Sequence, residues 1–170
     1  MPFSLLPRVM FRELTELTPA FLQERGIRLL MLDFDNTVLP YTSNELTQPL
    51  LDWAARMQAA GIALCVVSNS RKPRALPFCE RTGIGCVRES KKPFSRGIRA
   101  CLTQYGAQPS EAALVGDQIF TDVLGANCAG LTSILVKPIR LHNIWLKLRH
   151  GAEQPFILMS RKRRIRHDKS

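Results

Sequence analysis

Short apolar runs alternate with segments of helical period along most of this chain. Leu29-Leu30-Met31-Leu32, Ile62 to Val67, Ala112 to Val115 and Ile134-Leu135-Val136 are continuous apolar stretches without polar alternation. Runs of this kind read as strands buried on both faces, at home in a parallel sheet. The pattern predicts strands over Ile27–Asp33, Ile62–Val67, around Cys86-Val87, over Ala112–Val115 and over Thr132–Val136. Between them, Leu50, Leu51, Ala54, Met57 and Ala60 recur at helical spacing, which predicts a helix from Gln48 to Ala60 with Thr47 as its cap and Gly61 as its stop. Further helices are predicted over Arg71–Thr82, Phe94–Tyr105 and Thr121–Ala129, ended by Gly83, Gly106 and Gly130. Thr18-Pro19 caps a short helix that stops at Gly26. Residues 1–17 show no clear period.

Strands alternating with helices imply an α/β, Rossmann-like fold: a five-stranded, mostly parallel sheet with helices on both faces and right-handed crossovers. The expected organisation is an N-terminal helical extension (1–26), a catalytic domain (27–138) and a basic, partly helical C-terminal tail (139–170).

Each predicted strand but the last runs into polar residues. Asp33 and Asp35 follow the first, with Asn36 and Thr37 behind them. Ser68-Asn69-Ser70 follow the second, Lys91-Lys92 the third and Gly116-Asp117 the fourth. A parallel sheet gathers these ends on its C-terminal edge, where ligands bind in open α/β folds. Two acids one residue apart repel each other unless a metal ion, a lysine or a shared proton lies between them. Carboxylates without histidine suit a hard, oxygen-seeking cation such as Mg²⁺. A lysine and a serine hydroxyl beside them suit phosphate oxygens, and a carboxylate can act as a covalent nucleophile.

Asp33-x-Asp35-x-Thr37, Ser68 after an apolar strand, Lys92-Pro93 and Gly116-Asp117-x-x-x-x-Asp122 resemble the four motifs of haloacid dehalogenase (HAD) superfamily phosphatases. The match covers about residues 27–136. Val67-Ser68-Asn69, Lys92-Pro93-Phe94-Ser95-Arg96 and Val115-Gly116-Asp117-Gln118 to Gly125 are similar to the class IIIA, YqeG-type subfamily, and the related mitochondrial phosphatidylglycerophosphate phosphatases are similar in size and motifs. The resemblance implies an Mg²⁺-dependent phosphomonoester hydrolase that works through an aspartyl-phosphate. In that scheme Asp33 attacks phosphorus, and Asp35 protonates the leaving oxygen and then activates water. Asp33, the Asp35 backbone carbonyl and Asp117 hold the metal. Ser68, Asn69 and Lys92 bind the phosphoryl oxygens, with Lys91 as the fallback lysine. Asp122 orients a metal-bound water or Lys92, and Thr37 supports the metal site from behind. The substrate is either a soluble phosphomonoester or a lipid phosphate such as phosphatidylglycerophosphate. The alternative is a non-catalytic, RNA- or ribosome-associated protein on the same scaffold.

Spacing leaves no room for a substantial cap domain: 34 residues separate Asp33 from Ser68 and 23 separate Ser68 from Lys92, and the predicted helices and strands use most of both. The expected site is open, with Pro40-Tyr41-Thr42-Ser43 as a small flap. The five cysteines are odd in number, form no C-x-x-C pair and mostly sit in apolar runs, so they read as reduced core residues of an intracellular protein. The N-terminus lacks the features of a signal peptide, and no run of about 18 apolar residues is present. The expected location is cytoplasmic, with peripheral membrane contact as an option. Net charge is +10, but from Lys137 onward ten Lys/Arg face two acids, a surplus of +8. Arguments about anionic partners therefore concern the tail, for which a packing helix with a solvated end, an anionic membrane surface and RNA remain open. His142 and His150 in that tail, like His167, suit surface roles; Trp53 and Trp145 suit packing.

Overall fold

The computed structural model describes residues 4–139 and 151–160. Six strands form one parallel sheet: β1 (Val9–Met10), β2 (Leu29–Leu32), β3 (Ala63–Val67), β4 (Gly85–Val87), β5 (Ala112–Gly116) and β6 (Thr132–Leu135), in the order β1-β6-β5-β2-β3-β4. Five helices connect them: α1 (Pro19–Gln23), α2 (Gln48–Ala59), α3 (Leu76–Thr82), α4 (Arg96–Gln104) and α5 (Leu124–Ala129). The doubly wound α/β architecture expected from the alternation of strands and helices is present.

The sheet has six strands rather than the five expected. Val9 pairs with Ile134 and Met10 with Leu135. Arg8 N and Phe11 N donate to the carbonyls of Ser133 and Leu135 at 3.1 and 2.9 Å. The segment before residue 27 thus contributes an edge strand as well as a helix. Two paired residues are too short to register as a periodic pattern, so the strand owes its existence to the open edge of β6.

Alternation along β2 decides which side of the sheet each residue serves. Leu30, Leu32 and Phe34 enter the core beneath α2 and α3, with Trp53, Met57 and Phe78. Leu29 and Met31 enter the second core, with Ile98 and Cys101 of α4 and Ala126 of α5. Asp33 continues the parity of Leu29 and Met31, toward the side of α4 and α5. Trp53 is a packing residue: it is buried, and its indole N–H donates to Leu17 O at 2.9 Å.

Helix boundaries follow local chemistry closely. Thr18 Oγ1 accepts the Phe21 N–H at 3.3 Å, and Gly83 and Gly130 end α3 and α5 in the left-handed conformation. Thr47 stands at the cap of α2 without a side-chain hydrogen bond. The region predicted as one helix over Thr121–Ala129 instead opens with a π-helical turn, Ile119–Val123, before α5. The helix predicted from Arg71 begins with a 3-10 turn at Pro73–Ala75. Cys65, Cys79 and Cys101 are buried, Cys86 is half-buried and Cys128 exposed; all five are free thiols.

In the tail, residues 151–160 are helical, and Glu153, buried, accepts the Ile119 N–H at 3.0 Å. Arg140, His142, Trp145, His150 and residues 161–170 lie outside the described residues. Among the described residues no helix is long and apolar enough to cross a membrane.

Candidate active site

Register places the polar residues. Leu32 lies opposite both Val66 of β3 and Val115 of β5. The chain therefore reaches Asp33, Ser68 and Asp117 within one or two residues of a common level, at the edge where all strands end. Asp33 N remains in the sheet, donating to Val115 O at 2.9 Å, which holds the carboxylate at the strand tip.

Lys92 comes to Asp33 from the loop after β4. Its Nζ lies 2.7 Å from Asp33 Oδ1 and 2.8 Å from Asp122 Oδ1, with the three side chains almost fully removed from solvent. Burial alone would lower the lysine's pKa, but Asp122 and Asp33 overcome it and hold the ammonium well above its ordinary range. Burial pushes the Asp122 carboxyl up to about 6, against the pull of Lys92. Lys91, in contrast, is exposed and sits in the left-handed region at φ 57°. The choice of Lys92 over Lys91 is therefore made by the turn, which buries one and expels the other.

That turn has a dedicated brace. Asn69 Oδ1 accepts both Lys92 N and Ser90 Oγ at 2.7 Å, and Asn69 Nδ2 donates to Lys92 O at 2.8 Å. The Asn69 side chain is committed to holding Lys92, while the phosphate contact expected there is one from the backbone N–H. Gly97 packs on the same turn; a Cβ there would lie 2.4 Å from Ser90 Cβ. Ser68 is buried, and its Oγ accepts Ser70 N at 3.0 Å, a bond that does not use the hydroxyl's own donor.

Asp33, Asp117 and Asp122 are all buried and offer oxygens within 4.8 Å of one another. Asn36 Nδ2 and Thr37 Oγ1 donate to the two Asp117 oxygens at 3.4 and 3.5 Å, so the residues behind Asp35 orient Asp117. Asn36 reaches it from φ 69°, a conformation asparagine tolerates better than most residues. Gly116 lets Asp122 close in: a Cβ at Gly116 would lie 2.3 Å from Asp122 Cγ.

Two observations bear on a metal. Asp33 Oδ2 is buried without a hydrogen-bond partner among the described residues, a costly state for a carboxylate oxygen. Asp33, Asp117 and Asp122 bring three buried carboxylates together, two of them on the one Lys92 ammonium. An all-oxygen donor set that includes an orphaned carboxylate oxygen fits a hard divalent cation.

The Asp35 side chain stands apart from the three clustered acids. Its carboxylate turns to Arg74, whose Nη1 donates to Asp35 Oδ1, rather than joining the acid cluster. The same guanidinium donates from Nε to Asn44 Oδ1 at 3.0 Å and from Nη2 to the carbonyls of Pro40 and Ser43 at 2.8 Å. Burial raises the Asp35 pKa and the neighbouring Asp33 adds to it, while Arg74 opposes both. Arg74 is the site residue that sequence reasoning missed. Its only local signal is a position on the turn after the Ser68 strand.

Comparison with known proteins places this geometry. Residues 1–139 match the family model described as mitochondrial PGP phosphatase. The chain is 31% identical over 134 residues to the probable phosphatase YqeG of Bacillus subtilis, covering 79% of this chain and 78% of that protein. It is 27% identical over 164 residues to phosphatidylglycerophosphate phosphatase 1, chloroplastic/mitochondrial, of Arabidopsis thaliana, covering 90% of this chain but 44% of the plant protein. Among solved structures it is similar in fold to the cobalt-bound deoxy-D-mannose-octulosonate 8-phosphate phosphatase of Haemophilus influenzae, with a TM-score of 0.54, 17% identity, and coverage of 74% of this chain and 75% of that one.

Proposed function

The chain belongs to the PGP phosphatase family of HAD-type phosphatases, and on that premise we propose that it is an Mg²⁺-dependent hydrolase of a lipid phosphomonoester, with Asp33 as nucleophile. The observation that carries the reading is Asp33 itself: one oxygen fixed on the Lys92 ammonium, the other buried at the strand tip without a hydrogen-bond partner among the described residues.

In the proposed reaction an Asp33 oxygen forms a bond to phosphorus as the bond to the leaving oxygen breaks, and Asp35 gives that oxygen a proton. Asp35 then takes a proton from water, which attacks the aspartyl-phosphate, frees inorganic phosphate and regenerates Asp33. Lys92 offsets charge on the phosphoryl oxygens, and the Ser68 hydroxyl donates to one of them. Asp33, Asp117 and the Asp35 carbonyl would hold Mg²⁺, with Asp122 beside them. The bound cation supplies charge neutralisation for the phosphoryl group and relieves repulsion among the acids. Asn69 acts by holding Lys92.

A lipid substrate is supported by the names of the matched family and of the plant relative, and by the mouth of the site. Phe94, two residues after Lys92, is 74% exposed. Ile139, 45% exposed, donates its N–H to Asn36 O at 3.1 Å. Large apolar side chains beside a phosphate site suit an ester embedded in a lipid surface. The catalytic domain, with the β1 edge strand, carries the chemistry; peripheral contact of the tail with an anionic membrane belongs to the same reading.

The test is phosphate release by the full chain with Mg²⁺ from phosphatidylglycerophosphate in vesicles, set against a panel of soluble phosphomonoesters. Turnover should favour the vesicle substrate and vanish in Asp33→Asn. Preference for a soluble ester would replace the lipid reading. Inactivity throughout would favour the non-catalytic, RNA- or ribosome-associated alternative, which does not need the Asp33–Lys92–Asp122 cluster.

A further inference from the structure

The loop after β2 and the turn after β3 are far apart in sequence, yet one side chain joins them. Arg74 sends its Nη1 to Asp35, its Nε to Asn44 and its Nη2 to two carbonyls of the 40–44 loop. A guanidinium presents five N–H donors in one rigid plane, and here that plane makes four hydrogen bonds, to Asp35, Pro40, Ser43 and Asn44. Arg74 and Asp35 side chains are 15% and 13% exposed, so the pair is shielded from water on most sides. Tyr41 adds an aromatic ring 6.0 Å from the guanidinium carbon.

We propose that Arg74 is a positioning residue for proton transfer, fixing which oxygen of Asp35 faces the leaving group and coupling that oxygen to the 40–44 loop. This rests on the reading of Asp35 as the proton donor. With Oδ1 occupied by an N–H, the transferable proton resides on Oδ2. As the bond from phosphorus to the leaving oxygen breaks, the Oδ2 proton passes to that oxygen, and the resulting carboxylate stays paired with the guanidinium. Water returns the proton to Oδ2 in the second half-reaction. A loop anchored by the same guanidinium keeps the donor from rotating away. Lysine would substitute only in part: an ammonium keeps the charge but is a point charge without the fork that spans a carboxylate and two carbonyls.

The experiment compares two aryl esters in the full chain with Mg²⁺. The leaving oxygen of p-nitrophenyl phosphate departs with little help from an acid; that of phenyl phosphate needs the proton. Arg74→Ala should lower kcat on phenyl phosphate at least about tenfold more than on p-nitrophenyl phosphate, within the range that general acids supply. KM should change little, and added guanidinium at millimolar concentration should recover part of the phenyl phosphate rate. Arg74→Lys should show the same selectivity in milder form, and it carries the test if the alanine variant fails to fold. Equal losses on both esters, without recovery on guanidinium, would make Arg74 a structural clamp and overturn the proposal. Asp35→Asn serves as the reference: if it does not discriminate between the esters, the role of Asp35 is wrong and the proposal falls with it. If Asp33→Asn stays active, the nucleophile assignment fails instead.

Discussion

Lys92 Nζ and Asp33 Oδ1 meet at 2.7 Å across 59 residues of chain, with side-chain exposures of 1% and 9%. A buried pair of this kind is weak evidence for stability as a whole, but breaking it strands a charge. Lys92→Met should destabilise the fold by about 3–5 kcal/mol in urea unfolding, the usual penalty for removing one partner of a buried ion pair. Asp33→Asn should retain the fold while turnover is lost, since it removes the nucleophile but keeps an oxygen toward Lys92.

Gly116→Ala tests the close approach of β5 to Asp122. The added methyl would stand 2.3 Å from Asp122 Cγ and 2.6 Å from its Cβ, in a region with no slack. Overpacking of this order costs about 1–3 kcal/mol. A lowered melting temperature together with reduced kcat is the expected result; an unchanged protein would mean that Asp122 can withdraw freely.

Asn69 and Lys91 offer a paired comparison. Asn69→Ala removes three hydrogen bonds that hold the turn carrying Lys92. Loss of such outer support typically costs about 10–100-fold in activity at sites of this kind. Lys91→Ala, on the exposed side of the same turn, should leave kcat within about twofold, as surface substitutions usually do. Steady-state kinetics on one substrate checks both.

Metal removal gives a readout independent of turnover. If a divalent cation takes up the orphaned Asp33 oxygen among the clustered carboxylates, Mg²⁺ should raise the melting temperature in a concentration-dependent manner. Chelation should abolish activity and reverse the thermal shift. Asp117→Asn should remove most of the shift, because it takes away one of the three clustered carboxylates.

Much of the candidate site was legible in the chain because its residues sit at fixed offsets from strand ends. Asp33, Ser68, the Lys91-Lys92 pair and Asp117 stand out this way, the family resemblance adds Asp122 and the choice of Lys92, and the structure brings the side chains of Asp33, Lys92, Asp117 and Asp122 together. What failed depended on partners distant in sequence. Arg74 bonds a carboxylate 39 residues earlier, and nothing within its own turn announces that. The Asn69 side chain braces Ser90 and Lys92, 21 and 23 residues on, a role its place after Ser68 does not announce. Val9–Met10 carries no period of its own and becomes a strand only against β6.

By itself, then, the sequence determined the order of elements from α1 to β6, most of the caps and stops that bound them, and the set of polar residues at the strand ends, because these depend on local backbone preference and hydrophobic period. The tertiary structure decided which lysine is buried, which way the Asp35 carboxylate points, and that Asp122 stands with the acids rather than behind them. Those outcomes are set by contacts between loops that meet only once the sheet has closed, where a few tenths of an ångström at Gly116 or four hydrogen bonds at Arg74 outweigh any local preference.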